Sequence, residues 1–368
     1  MDKICYKIVI ILSFSLFIFT SVFACTEFTL KSKDGAVMVA RTMEFGYNMQ
    51  STIMSSPRAR VFETKAPNGK PGVSWKSKYG YIFADYFGIS HPVDGMNEKG
   101  LSFGYLLFPG YAQYSTIQKG QEYKALSYEF FPDWILGNFS SVEQVKKALN
   151  NIKVFAEPQS IENHKNVIFP LHAIITDALG KSIVVEFMKG KIYIYDDSQG
   201  VLTNSPPFNW QVTNLKNYIN LSPYTNAPIT INGITYAVAG QGSGMFGLPG
   251  DWTPPSRFVK MAILTAAALP VKDAQSALIL AQHIMDTVDI AKGVVRSEKG
   301  QGDVVELTQW TVFKDLKNHV LYFKTYDNTT LQSVAMNEVD FSPSAKQIRI
   351  LMASPPMIVN ALKSVRLQ

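Results

Sequence analysis

The sequence has few cysteines, few histidines, and no long apolar run after its first two dozen residues. Two cysteines occur in 368 residues, Cys5 and Cys25. If the leader that contains Cys5 is removed, Cys25 stands alone, which excludes an internal disulfide framework. The five histidines, His91, His164, His172, His283 and His319, form no pair at metal-ligand spacing, and His-Glu-x-x-His is absent. No metal and no cofactor are therefore assigned. In "GQGSGMFG", Gly242 and Gly244 flank Ser243 directly, so the Gly-x-Ser-x-Gly elbow is not met. No Walker lysine follows these glycines, and the stretch reads as a shaped loop. After the leader no segment is apolar over the roughly 18 residues that a membrane helix needs, so a soluble mature chain without a membrane span is expected. The formal charge of +6 comes from scattered Lys and Arg without a nucleic-acid motif. A mildly basic, solvated surface with no nucleic-acid partner follows.

What is present begins at the N-terminus. Lys3 and Lys7 precede an apolar run from Ile8 to Phe19, and the small residues Val22 and Ala24 stand before Cys25. This is the three-part layout of a secretory signal peptide. Residues 1–24 are expected to be removed and the chain exported, to a periplasm or to the medium. The remaining residues 25–368 are long for one domain but within reach of one large unit, and no linker divides them.

"CTEFTLKSKDGAVMVART" reads as a β-hairpin around Asp34-Gly35. A two-residue loop there would set Cys25 opposite Glu44. Strand alternation would then put Arg41 and Glu44 on opposite faces unless a bulge or a strand end intervenes. Further antiparallel pairs are predicted in His172–Asp197, with turns near Gly180 and Gly190, and in Leu307–Asn328. Helices are predicted at "SSVEQVKKAL", with a capping box at Ser140 and Glu143, from Pro254, and from Lys272.

Cys25 admits three readings. It is a lipid-anchored residue, although Phe23 is bulky for a lipobox; or a plain buried thiol; or a nucleophile exposed as the new N-terminus. In the third reading its own α-amine, with an ordinary pKa near 8, takes the thiol proton and no histidine is needed. Such a centre also needs a carboxylate, cations and oxyanion donors. Glu44 and Arg41 on the opposite hairpin arm are candidates.

Six ordered motifs then carry a resemblance: "CTEFTL", "ARTMEF", "GMNEKGLSFG", "LTNSPPFNWQ", "LPGDWTPPSRFVK" and "TQWTVFKDLKNHVLYFKTYDN". Together they resemble the choloylglycine hydrolase family, the bile salt hydrolases and penicillin V acylases of the N-terminal nucleophile superfamily. The resemblance implies an α+β fold of four αββα layers with two mainly antiparallel sheets, and often a homotetramer. It matches Cys25 to the nucleophile, Arg41 and Arg257 to two active-site arginines, and Asn204 to an oxyanion asparagine. Glu44 stands where the family usually has aspartate. Tyr111 falls where bile salt hydrolases typically have asparagine and penicillin V acylases an aromatic residue, so its N–H is expected at the oxyanion and its ring in the acyl pocket. Phe45 and Tyr47 are expected to add aromatic surface for substrate. The implied activity is hydrolysis of a small-molecule linear N-acyl amide through a Cys25 thioester, with a penicillin V acylase-like preference. Bile salt hydrolysis and acyl-homoserine-lactone cleavage are the alternatives, and a binding protein lipid-anchored at Cys25 is the non-enzymatic one.

Overall fold

The computed structural model describes residues 24–161, 164–297 and 304–358. The expected leader, residues 1–23, lies outside the described residues. The chain opens with two strands, β1 (Cys25–Lys31) and β2 (Val37–Glu44), the hairpin anticipated from Asp34-Gly35. Its register differs by one residue. Cys25 faces Met43, and Lys31 faces Val37. The loop has three residues, Lys33 to Gly35, closed by the Ser32 N–H on the Ala36 carbonyl at 2.9 Å. Gly35 sits at φ +82°, the left-handed position that a three-residue hairpin loop needs and that glycine adopts without strain. The one-residue shift places Cys25, Glu27, Arg41 and Met43 on one face.

These strands lie in a six-stranded sheet. Its spatial order is Val201–Leu202, β1, β2, Thr308–Asp315, Val320–Thr325 and Gln332–Ala335. An eight-stranded sheet runs from Lys191–Asp196 through Ser182–Met188, Leu171–Thr176, Ser102–Leu107, Ile89–Asn97, Tyr81–Tyr86 and Thr52–Ser56 to Arg349–Leu351. Every pairing in both sheets is antiparallel. The turns at Gly180 and Gly190 and the Leu307–Asn328 meander fall where the sequence predicts them.

Helices cover the outer faces. Helix α1 (Phe131–Asn138) packs on the Ile89–Asn97 and Ser102–Leu107 strands, and α2 (Val142–Leu149) follows it. Its cap is one residue later than predicted: Ser141 accepts from the Gln144 N–H, and Gln144 Oε1 accepts from the Ser140 N–H. The reciprocal logic of a capping box is kept with glutamine in the role of glutamate. A short helix, α3 (Phe208–Asn214), precedes α4 (Pro254–Ala267) and α5 (Ala274–Met285), which lie on β1 and β2. Prolines occupy the first turn of α4, and Asp273 caps α5 by accepting from the Ser276 N–H. The result is an α+β sandwich with two sheets between helical layers. The strands facing each other across the two sheets are almost wholly buried, which is why β2 reads as a continuous buried run instead of alternating.

Candidate active site

Cys25 starts β1 in the sheet interior and is 1% exposed. Its N–H donates to Asn204 Oδ1 at 2.8 Å. Asn204 follows the short strand Val201–Leu202, and its neighbour Leu202 pairs with Glu27 of β1, which brings the asparagine beside the cysteine. Asn204 is held on both sides: Oδ1 also accepts from Arg257 Nη2 at 2.7 Å, and Nδ2 donates to the Leu107 carbonyl at 2.8 Å. Arg257, in the first turn of α4, further donates to the Cys25 carbonyl and Thr26 Oγ1 through Nη1 and to the Trp252 carbonyl through Nε. One guanidinium thus ties helix α4, the nucleophile strand and Asn204 together.

Arg41 reaches the same place from β2. It is fully buried, donates to the Val93 and Tyr105 carbonyls, and stacks over Trp310 with 5.1 Å to the ring centroid. The Cys25 Sγ lies 3.9 Å from Met43 Sδ and 4.0 Å from the Glu44 carbonyl. Burial pushes the thiol above its ordinary value, and Arg41, foremost among the cations, pulls it back. Arg257 adds to the pull of Arg41, while the Glu44 carboxylate opposes it.

Glu44 departs from its expected role. The anticipated bulge is there, between Met43 and Glu44 against strand Thr308–Asp315. It does not bring the carboxylate over to Cys25: with Met43 opposite Cys25, strand alternation leaves Glu44 on the other face, where Oε1 accepts from Thr308 Oγ1 at 2.8 Å and Oε2 from Thr42 Oγ1 at 3.0 Å. No Glu44 side-chain bond reaches Cys25; the nitrogen is held by Asn204. Burial pushes the Glu44 carboxyl up to about 7, against the pull of Arg257. Glu306, also buried, is pushed up to about 8 by burial and by Glu44.

A cavity of about 30 Å³ adjoins the thiol, lined by Cys25, Arg41, Met43, Phe45, Met49, Tyr86, Val93, Tyr105, Leu107, Phe169 and Leu171. Phe45 is in it, with its ring 5.8 Å from Phe87 and 6.5 Å from Phe169. Tyr47 is half-exposed on the outer side of Phe45, at 6.1 Å. Tyr111 is not in the cavity. It lies 41% exposed in the loop after strand Ser102–Leu107, stacked on Phe108 at 5.4 Å. The strand end itself, at Tyr105 and Leu107, lines the cavity beside Cys25. Sequence reading missed Tyr105, Met49 and Phe169, whose only signal was membership of buried strands and their flanks. Larger grooves around Lys31 and Asp197 lie at the other end of β1 and contain no nucleophile. Among the described residues no cluster of His, Cys, Asp or Glu could hold a metal, and no helix is long and apolar enough to cross a membrane.

The one cysteine among the described residues opens a strand of a two-sheet sandwich with an asparagine on its nitrogen and arginines around it, the arrangement of an amide hydrolase of the N-terminal nucleophile class. Residues 25–348 match the profile of the linear amide C–N hydrolases, choloylglycine hydrolase family, and the chain belongs to that family. It is 38% identical to a bile salt hydrolase/transferase of Clostridium perfringens over 85% of this chain and 93% of that protein. It is 24% identical to a penicillin V acylase of Pectobacterium atrosepticum over 87% of this chain and 83% of that protein. A crystal structure of the conjugated bile acid hydrolase of Clostridium perfringens superimposes with a TM-score of 0.79 at 32% identity, covering 91% of this chain and 99% of that one.

Proposed function

We propose that the chain is an exported cysteine amidase that uses Cys25, freed by cleavage after Ala24, to hydrolyse a linear amide bearing an apolar acyl group. The observation that carries this is the Cys25 nitrogen held on Asn204 Oδ1 beside a buried thiol flanked by Arg41 and Arg257. Once freed, that nitrogen becomes an amine fixed next to its own sulfur. It takes the thiol proton, the thiolate attacks the carbonyl carbon, and the C–N bond breaks as the amine returns the proton to the leaving nitrogen. The same amine then activates water against the thioester. One Asn204 Nδ2 hydrogen is used by the Leu107 carbonyl; the other is available to an oxyanion.

For the acyl group, conjugated bile salts are the first candidate, because the bile salt hydrolases are the more similar relatives. The penicillin V preference expected from Tyr111 loses that support, since Tyr111 lies outside the cavity. An aromatic acyl group is nonetheless favoured as a second reading by the rings of Phe45, Tyr86 and Phe169 around it. Met43 and Met49 are the adaptable side chains that a bulky acyl group would displace. A lipid anchor on Cys25 is disfavoured by the burial of its sulfur between paired strands. Cys25→Ala should abolish turnover of glycine- and taurine-conjugated bile salts, a phenoxyacetyl amide and an acyl homoserine lactone alike, and undiminished turnover of the best of them would overturn the reading. N-terminal sequencing of exported protein should begin at Cys25 with a free amine.

Homo-oligomerisation is supported by a separate feature. From 217 to 250 no Asp, Glu, Lys, Arg or His occurs. Within this arm a two-stranded ribbon, Ile229–Ile231 and Ile234–Tyr236, is exposed along its whole length. An isolated hairpin is marginal in water, and charge depletion with exposed apolar side chains marks the centre of a subunit interface. Ile231→Asp with Ile234→Asp should convert the assembly to a smaller species in sedimentation analysis; an unchanged mass would refute it.

A further inference from the structure

Behind Cys25, between the sheets, lies a group of charges that the mechanism above leaves unused. Glu27 leaves β1 on the same face as Cys25, two residues on, so their Cα atoms are about 7 Å apart. It stands opposite Arg41 in register. Lys314 enters from strand Thr308–Asp315 and Asp94 from the second sheet. Lys314 Nζ donates to Asp94 Oδ2 at 2.7 Å and lies 3.6 Å from Glu27 Oε2, while Asp94 Oδ2 is 3.5 Å from Arg41 Nη1. All four side chains are fully buried. The facing strand accommodates them with a glycine: a Cβ on Gly104 would stand 2.3 Å from Glu27 Oε2.

The charges do not pair off evenly. Asp94 is bonded to Lys314 and sits beside Arg41, whereas Glu27 is held only by the longer ion pair to Lys314. Two cations therefore face one firmly held anion, with a second anion to be supplied by Glu27 or by the Cys25 thiolate. Burying an unmatched charge costs several kcal/mol, so the interior favours one of the two and not both. The remaining neighbours leave that balance in place. On the far face of β1 and β2, Glu44 and Arg257 act on Cys25 with opposite signs. Asp197, in the turn after Lys191–Asp196, adds one more carboxyl that feels Glu27. Burial raises both Glu27 and Cys25, with Lys314 opposing it at the first and Arg41 at the second.

We propose that Glu27 is a positioning residue that sets the ionisation of the nucleophile: Arg41 and Lys314 together hold one negative charge beyond Asp94, and that charge resides on either the Glu27 carboxylate or the Cys25 sulfur. The sulfur proton passes to the α-amine, as in the mechanism above, and Glu27 binds a proton from solvent as the thiolate forms, so that Arg41 and Lys314 face one anion beyond Asp94 and not two. This rests on Cys25 being the nucleophile, but the test below needs no turnover. It follows alkylation of Cys25 by iodoacetamide against pH, read by peptide mass, with circular dichroism as the check on folding. In Glu27→Gln the competing anion is gone, and the midpoint of thiolate formation should fall by about one pH unit, giving about tenfold faster alkylation below the midpoint. In Lys314→Met a cation is gone and the midpoint should rise by a similar amount, while Lys314→Arg should leave it in place. Midpoints equal to wild type in folded Glu27→Gln and Lys314→Met would overturn the proposal.

Discussion

Replacing Asn204 by alanine tests the site at its most connected point. The side chain is 1% exposed and makes three bonds: from the Cys25 nitrogen, from Arg257 and to the Leu107 carbonyl. A neutral hydrogen bond contributes about 1 kcal/mol and one to a charged group about 2 kcal/mol, so the substitution should cost roughly 4 kcal/mol of stability. A chain of this size should melt about 5–6 °C lower. Turnover should fall further than stability alone explains, because Nδ2 is the proposed oxyanion donor and removing one such donor costs about 2.7–4 kcal/mol of barrier, roughly a hundredfold to a thousandfold in kcat. Thermal melting followed by circular dichroism and initial rates on a conjugated bile salt below the melting temperature separate the two effects. A variant that melts near wild type and keeps kcat within tenfold would refute both the hydrogen-bond inventory and the oxyanion assignment.

Two further outcomes follow from buried groups. Glu44 is pushed up to about 7 from an ordinary value of 4.5. A carboxyl raised by folding stabilises the fold below its ordinary value, and that contribution is lost as pH rises through about 7. Glu44→Gln should therefore lose less thermal stability than wild type between pH 5 and 8 in calorimetry, with Glu306 leaving part of the slope; equal losses would count against the assignment. Gly104→Ala should destabilise by about 1–3 kcal/mol, read by urea unfolding, because its Cβ would come 2.3 Å from Glu27 Oε2. A neutral result would mean that Glu27 has room to move.

Much of this fold was readable along the chain because local rules dominated. Asp34-Gly35 specified a hairpin, Pro254 and Pro255 a helix start, and the glycines at 180 and 190 two turns. Errors came where a single residue decides the geometry. The hairpin loop takes three residues instead of two, so every pairing from Cys25 to Lys31 moves by one. The α2 cap shifts from Ser140 to Ser141 because Gln144 serves as well as glutamate. Tyr111 looked like a site residue by its place in the chain, yet a loop leaving a strand end carries no information about its direction in a one-dimensional pattern.

The sequence by itself singled out Cys25 as the candidate nucleophile. A signal-like leader ending at a lone cysteine, with Arg41, Asn204 and Arg257 in family order behind it, pointed to one chemistry, and the residues named lie together in the structure. Only the tertiary structure decided how they are held. Asn204, not Glu44, grips the Cys25 nitrogen, because Val201–Leu202 pairs beside β1 and the one-residue shift of the hairpin sets Met43 opposite Cys25, leaving Glu44 on the other face. The quartet of Glu27, Arg41, Asp94 and Lys314 was likewise invisible along the chain. Its members come from four strands of two sheets, and charges at such separations meet only when sheet packing removes the water between them.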